Sequence, residues 1–361
     1  MKAHKIAAAL AVALVLPSVA LADITIGGLY PMSGPNAEYG QIYSRASDLA
    51  VEHVNNSGML TERLRIVYED SQALPMPGVV GMNKLVNVEK VPYVLTGYTG
   101  VSKAVAPIAM RTKTVVVNGG GVGPDLARLG EYFWNVIPLV DFEVRPMVAH
   151  LVKEKNLKRV ALVYVDDPLG QAVLEELKKG LVAVGGEFVG GFSVPVSAQQ
   201  FSGVAARVRD SRPDAIYIAS YGAQQVQIAK QLRDNGVSQQ LASYSGFAIP
   251  STLALPEAQG ALYTKQKVDL TVQNAVTQTM YADYKNKYGK EPDAYAVNYY
   301  NGVRVFALLA AQLQQQGKPV NGENLLAMRK ATSAFDLVGA TVSFEANGTI
   351  NAPIEIRVIG H

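Results

Sequence analysis

The chain has 361 residues, 49% of them hydrophobic, with 33 basic against 30 acidic side chains and a formal charge of +3. That near balance lacks the basic excess of a nucleic-acid binder or a polybasic membrane-surface protein, and the length is enough for two domains with real cores. Cysteine is absent, which excludes disulfides, thiolate metal sites and a cysteine nucleophile.

Lys2 and Lys5 flank the start of an apolar run from Ile6 to Val19, and Ala20-Leu21-Ala22 follows as a small-x-small cleavage site. This pattern predicts a secretory leader over residues 1–22, cut before Asp23. The run is too short for a comfortable membrane span, and no other stretch approaches about 18 apolar residues. No cysteine follows it to carry a lipid. The expectation is a soluble, monomeric protein of the periplasm, not inserted in the membrane.

From there strands and helices alternate. Ile24 to Leu29 reads as a strand, and Ile42, Ala46, Leu49, Ala50 and Val54 share one face of a helix. Leu64 to Tyr68 is a strand, Val79 to Val88 a helix, Val91 to Thr96 a strand, Val101 to Ile108 a helix and Thr114 to Val117 a strand. The pattern restarts with a helix over Phe142 to Lys153. Arg159 to Val165, Glu187 to Val194 and Ala215 to Ala219 are strands; Gly170 to Val184, Phe201 to Asp210 and Val226 to Asp234 are helices. Val272 to Tyr288, Tyr295 to Gln315 and Gly322 to Ala331 continue as helices. Val338 to Phe344 and Ile354 to Ile359 are expected to pair around Asn347-Gly348. Continuous β-branched strands alternating with helices predict an α/β fold with parallel sheets covered on both faces.

In open α/β sheets, ligands lie beyond the carboxyl ends of the strands. Here those ends carry Tyr30 to Pro35 with Glu38-Tyr39-Gly40, then Gly97 to Ser102, then Asn118 to Pro124. The second unit adds Asp166-Asp167-Pro168, Ser220-Tyr221-Gly222 and Tyr244 to Phe247. Glycines admit close backbone approach, helix N-termini favour an anion, and tyrosine offers a flat wall with a polar tip. The set suits a small organic acid with an apolar body. Taken singly, each signal has a plainer reading: Gly119 to Gly123 as a flexible turn, the tyrosines as packing, Ser102 as a helix cap. The case rests on their convergence.

Chemistry has fewer markers. Apart from the leader, histidine occurs only at His53, His150 and His361, and no ligand-spaced cluster predicts a metal or cofactor. No Gly-x-Ser-x-Gly elbow marks a hydrolase. Binding rather than catalysis is expected.

The segment Ile24-Thr25-Ile26-Gly27-Gly28-Leu29-Tyr30-Pro31-Met32-Ser33-Gly34-Pro35 with Glu38-Tyr39-Gly40 resembles the opening of type I periplasmic solute-binding proteins of ABC transporters, in the branched-chain amino acid receptor family. Gly120 to Leu126, Arg159 to Gly170 and Arg212 to Tyr217 resemble the family in order and spacing. The resemblance implies two Rossmann-like lobes with parallel sheets and a three-crossover hinge, with 23–138 and 267–343 in lobe 1 and 139–266 and 344–361 in lobe 2. It also implies delivery of a small-molecule ligand to an inner-membrane ABC permease. Residue by residue it assigns ligand contacts to Tyr39, to Tyr98, Thr99 and Ser102, to Gly120, Gly121 and Val122, and to Tyr221. The family's ammonium-holding threonine and acidic residue fall on Val122 or Gly121 and on Ser245. A buried ammonium without a counter-charge costs several kcal/mol, on the order of a broken buried ion pair. A carboxylate lacking an α-ammonium, with an aromatic or branched aliphatic body, is therefore expected. A branched-chain amino acid or amide is the alternative, with Asp166 as the substitute acid.

Overall fold

The computed structural model describes residues 23–269, 274–350 and 352–360. The expected leader lies outside the described residues. The first half builds β1 (Ile24–Tyr30), α1 (Ala37–Ser57), β2 (Leu64–Asp70), α2 (Pro75–Asn87), β3 (Tyr93–Thr96), α3 (Thr99–Thr112), β4 (Val115–Asn118) and β5 (Phe133–Asn135). All pairs are parallel, in the order β2-β1-β3-β4-β5. The restart builds α4 (Val140–Ala149), β6 (Arg159–Val165), α5 (Pro168–Val184), β7 (Glu187–Val194), α6 (Ser202–Asp210), β8 (Ala215–Ala219), α7 (Gly222–Asp234), β9 (Gln240–Ser243), α8 (Pro250–Leu253) and β10 (Leu262–Gln266). The chain then returns to the first lobe with α9 (Ala275–Tyr288), α10 (Ala294–Gln315), α11 (Gly322–Ala331), β11 (Phe335–Leu337) and β12 (Ala340–Val342), and ends in β13 (Ile354–Val358) of the second sheet. That sheet runs β13-β10-β9-β8-β6-β7. The protein is thus two doubly wound α/β lobes between which the chain passes three times.

The expected final strand pair does not form. β12 pairs with β11, and β13 runs antiparallel to β10. A single bridge, Phe344 to Ile350, spans the Asn347-Gly348 turn. The open edge of β10 offers a full ladder of unpaired backbone groups, and β13 covers it. Residue 349 also bridges to Asn135 of β5, so the stretch just before β13 still lies against the first sheet. The helix expected to reach Lys153 is α-helical only to Ala149 and continues as one π-turn over His150–Glu154.

Two helices carry the core toward the strand ends. On α1 the buried stripe Ile42, Ala46, Leu49, Ala50 and Val54 continues at its N-terminal end into Tyr39 and Tyr43. On α10, Tyr295 and Tyr299 repeat the one-turn spacing. Tyr43 stacks on Tyr299 with ring centroids 3.8 Å apart. The contact that packs α1 on α10 therefore also presents tyrosines at the carboxyl edge of the first sheet.

Candidate ligand site

A narrow cleft of about 300 Å³ lies between the lobes at the carboxyl ends of their strands, at the place where doubly wound sheets bind ligands. Lobe contacts narrow it. Glu38 of α1 accepts from Ser251 N (3.1 Å) and Ser251 Oγ (2.5 Å) at α8, and Tyr39 donates to Gly246 O across 3.3 Å. Gly222 approaches Asn36 so closely that a Cβ would stand 2.2 Å from its Oδ1.

The first lobe contributes Tyr39, Tyr43, Tyr98, Thr99, Gly120, Gly121, Val122 and Tyr295; the second contributes Leu169, Tyr221 and Tyr244. The rings meet edge to face: Tyr39 with Tyr98 at 5.8 Å, Tyr39 with Tyr295 at 5.4 Å and Tyr98 with Tyr221 at 5.1 Å. Burial pushes the phenols of Tyr39, Tyr98 and Tyr221 well above their ordinary range, so all three are neutral hydroxyls. None of the wall residues carries a charge.

Seven of the ten residues singled out in the sequence come together on this wall: Tyr39, Tyr98, Thr99, Gly120, Gly121, Val122 and Tyr221. The other three do not line it. Ser102 is 0% exposed, and its Oγ finds no partner among the described residues. Ser245 lies behind Tyr295, 3.3 Å from its hydroxyl. Asp166 is exposed and accepts from Gln171 Nε2 at 3.2 Å.

The neighbouring Asp167 turns inward instead. It caps α5 by accepting from Gly170 N at 2.9 Å and takes the Tyr221 hydroxyl at 2.6 Å. Burial raises its pKa. Asp-Pro-x-Gly is a legible cap signal, since proline favours the first helical position, and it would have chosen Asp167. The sequence reading also passed over Tyr43 and Tyr295, which sit inside helices, and gave no role to Tyr244 itself. It missed Glu143 altogether. This residue of α4 is 1% exposed and accepts from Ser245 N (2.6 Å), Ser245 Oγ (2.9 Å) and Thr264 Oγ1 (3.0 Å). Burial lifts its pKa to about 7 against those three donors.

The glycine loop is built differently from expectation. Gly120 N and Gly121 N both donate to Asn118 Oδ1, at 3.2 and 2.6 Å, and Gly123 N donates to Thr99 Oγ1 at 3.1 Å. Those amides are spent inside the loop. What remains for an anion is the first turn of α3, where the N–H groups of Thr99, Gly100 and Val101 precede the first intrahelical bond. The Tyr98 hydroxyl is buried and also without a partner among the described residues. A Cβ at position 121 would stand 3.0 Å from Thr99 N, so glycine there keeps the helix end open.

A larger open groove of about 680 Å³ runs from His53 to Arg304 on the first lobe. It lies away from the strand ends, and His53 is tied to Tyr300 (2.8 Å) and Asp283 (3.1 Å).

Two lobes closed on a neutral, tyrosine-walled cavity define a solute-binding protein. The chain belongs to the periplasmic binding protein family, whose model matches residues 23–359, with the type I fold, and is a substrate-binding protein of an ABC transporter. It is 24% identical over 342 residues to Leu/Ile/Val-binding protein homolog 3 of Brucella melitensis, covering 93% of this chain and 91% of that one. The leucine-binding protein LivK of Thermotoga maritima superposes with a TM-score of 0.85 at 21% identity, covering 93% of this chain and 95% of the other. A solute-binding protein of an ABC transporter from R. palustris, in complex with 4-hydroxybenzoate, superposes at 0.82 with 22% identity and 93% of both chains. These relatives are solute-binding proteins, not enzymes.

Proposed function

We propose that this protein captures a small aromatic carboxylate lacking an α-ammonium and presents it to an inner-membrane ABC permease. In this reading it is exported by the leader over 1–22, works as a periplasmic monomer and performs no chemistry on its ligand. The observation that carries it is a wall of neutral tyrosines with a helix N-terminus at one end and no carboxylate on its surface. The ligand carboxylate sits at the first turn of α3, with Thr99 and the Tyr98 hydroxyl as further partners. Its ring enters between Tyr39, Tyr98 and Tyr221, where each edge-to-face pair adds about 0.5–1.5 kcal/mol beyond area burial.

The same wall weighs against an α-amino acid. Tyrosine faces offer a desolvated ammonium about 2 kcal/mol, whereas leaving a buried charge without its partner costs about 3–5 kcal/mol. The cost exceeds the gain unless Asp167 or Glu143 turns in. Both carboxylates are engaged with hydroxyl and backbone donors, which favours the acid over the amino acid. The leucine-binding relative supports the alternative, and the 4-hydroxybenzoate complex supports the reading chosen.

A thermal-shift panel of benzoates, aliphatic acids and branched-chain amino acids tests it, because a ligand of the folded state raises apparent stability by mass action. The expected outcome is a rise with benzoates and none with leucine, isoleucine or valine. A rise confined to the amino acids removes the reading.

A further inference from the structure

Glu143 stands one residue behind the cavity wall and is joined to it by a short chain of hydroxyls. Its two oxygens receive Ser245 N, Ser245 Oγ and Thr264 Oγ1. Ser245 Oγ in turn lies 3.3 Å from the hydroxyl of Tyr295, a wall residue. A serine hydroxyl has one proton. When Glu143 is ionised it has none to give, so Ser245 spends its proton on the carboxylate. The proton between Ser245 and Tyr295 then comes from Tyr295, whose oxygen is left to the cavity only as an acceptor. When Glu143 is protonated, its O–H donates to Ser245 Oγ, Ser245 donates to Tyr295, and the Tyr295 proton is free to face the ligand. The chain has two polarities, and one buried carboxyl selects between them.

We propose that Glu143 is a positioning residue that sets ligand specificity through Ser245 and Tyr295: its ionised form makes the wall a hydrogen-bond acceptor and selects an aromatic acid bearing a ring hydroxyl. The inference rests on an aromatic carboxylate being the ligand. Three other wall tyrosines reinforce the acceptor character, because Tyr39 donates to Gly246 O, Tyr221 to Asp167 and Tyr244 to Ser220 O. Their protons are committed to the protein.

With its pKa lifted to about 7 by burial, Glu143 changes state within ordinary external pH. Tyr217 on β8 and Tyr295 on α10 are the titratable groups that feel its charge, and both are held neutral by burial. Asp293, which caps α10, also acts on Tyr295, and Glu175, Lys178 and Lys153 stand on α5 and on the π-turn after α4; several other charged groups around α4 are paired. Arg145 bonds Asp141 and Glu176, Lys179 bonds Glu176, Lys265 bonds Glu355, Arg357 lies near Glu355, and His150 bonds Glu154. Hydroxyl selection is therefore expected above pH about 7 and lost below it.

Calorimetric titration of ligand-stripped protein with benzoate and with 3- and 4-hydroxybenzoate, at pH about 5.5 and about 8, tests this; all three keep an ionised carboxylate across the window. The expected result at the higher pH is a preference of about tenfold for a hydroxybenzoate, the value of one good hydrogen bond, falling toward parity at the lower pH. In Glu143→Gln the amide donates to Ser245 and fixes the other polarity, so the preference is small and independent of pH. Ser245→Ala cuts the chain while leaving Glu143 its bonds to Ser245 N and Thr264, and gives the same flat ratio if Glu143→Gln fails to fold. An equal ratio at both pH values in the native protein, or a pH-dependent ratio that survives Ser245→Ala, overturns the inference alone. Failure of all three acids to bind overturns it together with the ligand class beneath it.

Discussion

The two lobes meet the same cavity with different chemistry. The first lobe offers backbone: the opening turn of α3 and a glycine loop pinned by Asn118. The second offers side chains backed by carboxylates, Asp167 behind Tyr221 and, on the far side of Tyr295, Glu143 behind Ser245. Backbone donors are fixed in polarity and suit an anion whatever the pH. Hydroxyl acceptors backed by carboxylates can be tuned, and they suit the end of a ligand that distinguishes one acid from another. Affinity for a carboxylate thus belongs to the first lobe, while discrimination is set by carboxylates of the second and reaches the cavity partly through Tyr295 of the first.

The largest effect expected from breaking this contrast is on stability. Glu143 has a folded-state pKa of about 7 against an ordinary 4.5, so the folded form holds the extra proton between those values. Stability present below pH 4.5 is lost as pH rises to about 7, by up to about 3 kcal/mol. Glu143→Gln has no such loss. The buried Asp293, lifted to about 6, slopes both proteins alike. Melting curves of the two proteins across this window should therefore diverge in slope; parallel curves would mean Glu143 titrates normally.

On the first lobe, Gly121→Ala places a methyl 2.9–3.0 Å from Tyr98 C, Thr99 N and Asn118 Oδ1. Overpacking of this kind costs about 1–3 kcal/mol, here at the anion seat, so affinity should fall up to about a hundredfold for every carboxylate, with no change in preference among them. A change in preference would place discrimination in the glycine loop. Tyr221→Phe keeps the ring but strips Asp167 of its 2.6 Å donor; a loss of about 1–3 kcal/mol of stability is expected from a buried carboxyl left without that bond. An unchanged melting temperature would mean that the hydroxyl is idle.

Ser102→Ala should do least. The side chain is buried off the wall, and removing a hydroxyl without a partner leaves nothing unsatisfied. A change in Kd within about twofold is expected. A tenfold loss would restore the ligand contact that the family resemblance implied for Ser102 and shift the anion deeper along α3.

The sequence revealed most of what lies immediately after a strand. Those positions are fixed by local patterning, which is why seven wall residues were found from Tyr39 to Tyr221. It concealed what depends on pairing at a distance. Tyr43 and Tyr295 sit inside helices, where tyrosine at one-turn spacing reads as core, and they are core as well as wall. Glu143 meets Ser245 across 102 residues and the intervening strands β6 to β9 of the second lobe, so no local pattern announces it. β13 found its partner on β10 rather than across the nearer turn for the same reason. The choice between Asp166 and Asp167 was local, and the helix cap decided it.

The central claim is that the cavity takes a carboxylate without an α-ammonium. Its most direct test is calorimetry on protein unfolded, dialysed free of ligand and refolded, titrated in parallel with 4-hydroxybenzoate and leucine at pH about 8, above the Glu143 pKa. The account predicts a saturable heat with the aromatic acid and none with leucine. Saturable binding of leucine tighter than that of the aromatic acid would contradict it, and would mean that Asp167 or Glu143 turns into the cavity to hold an ammonium.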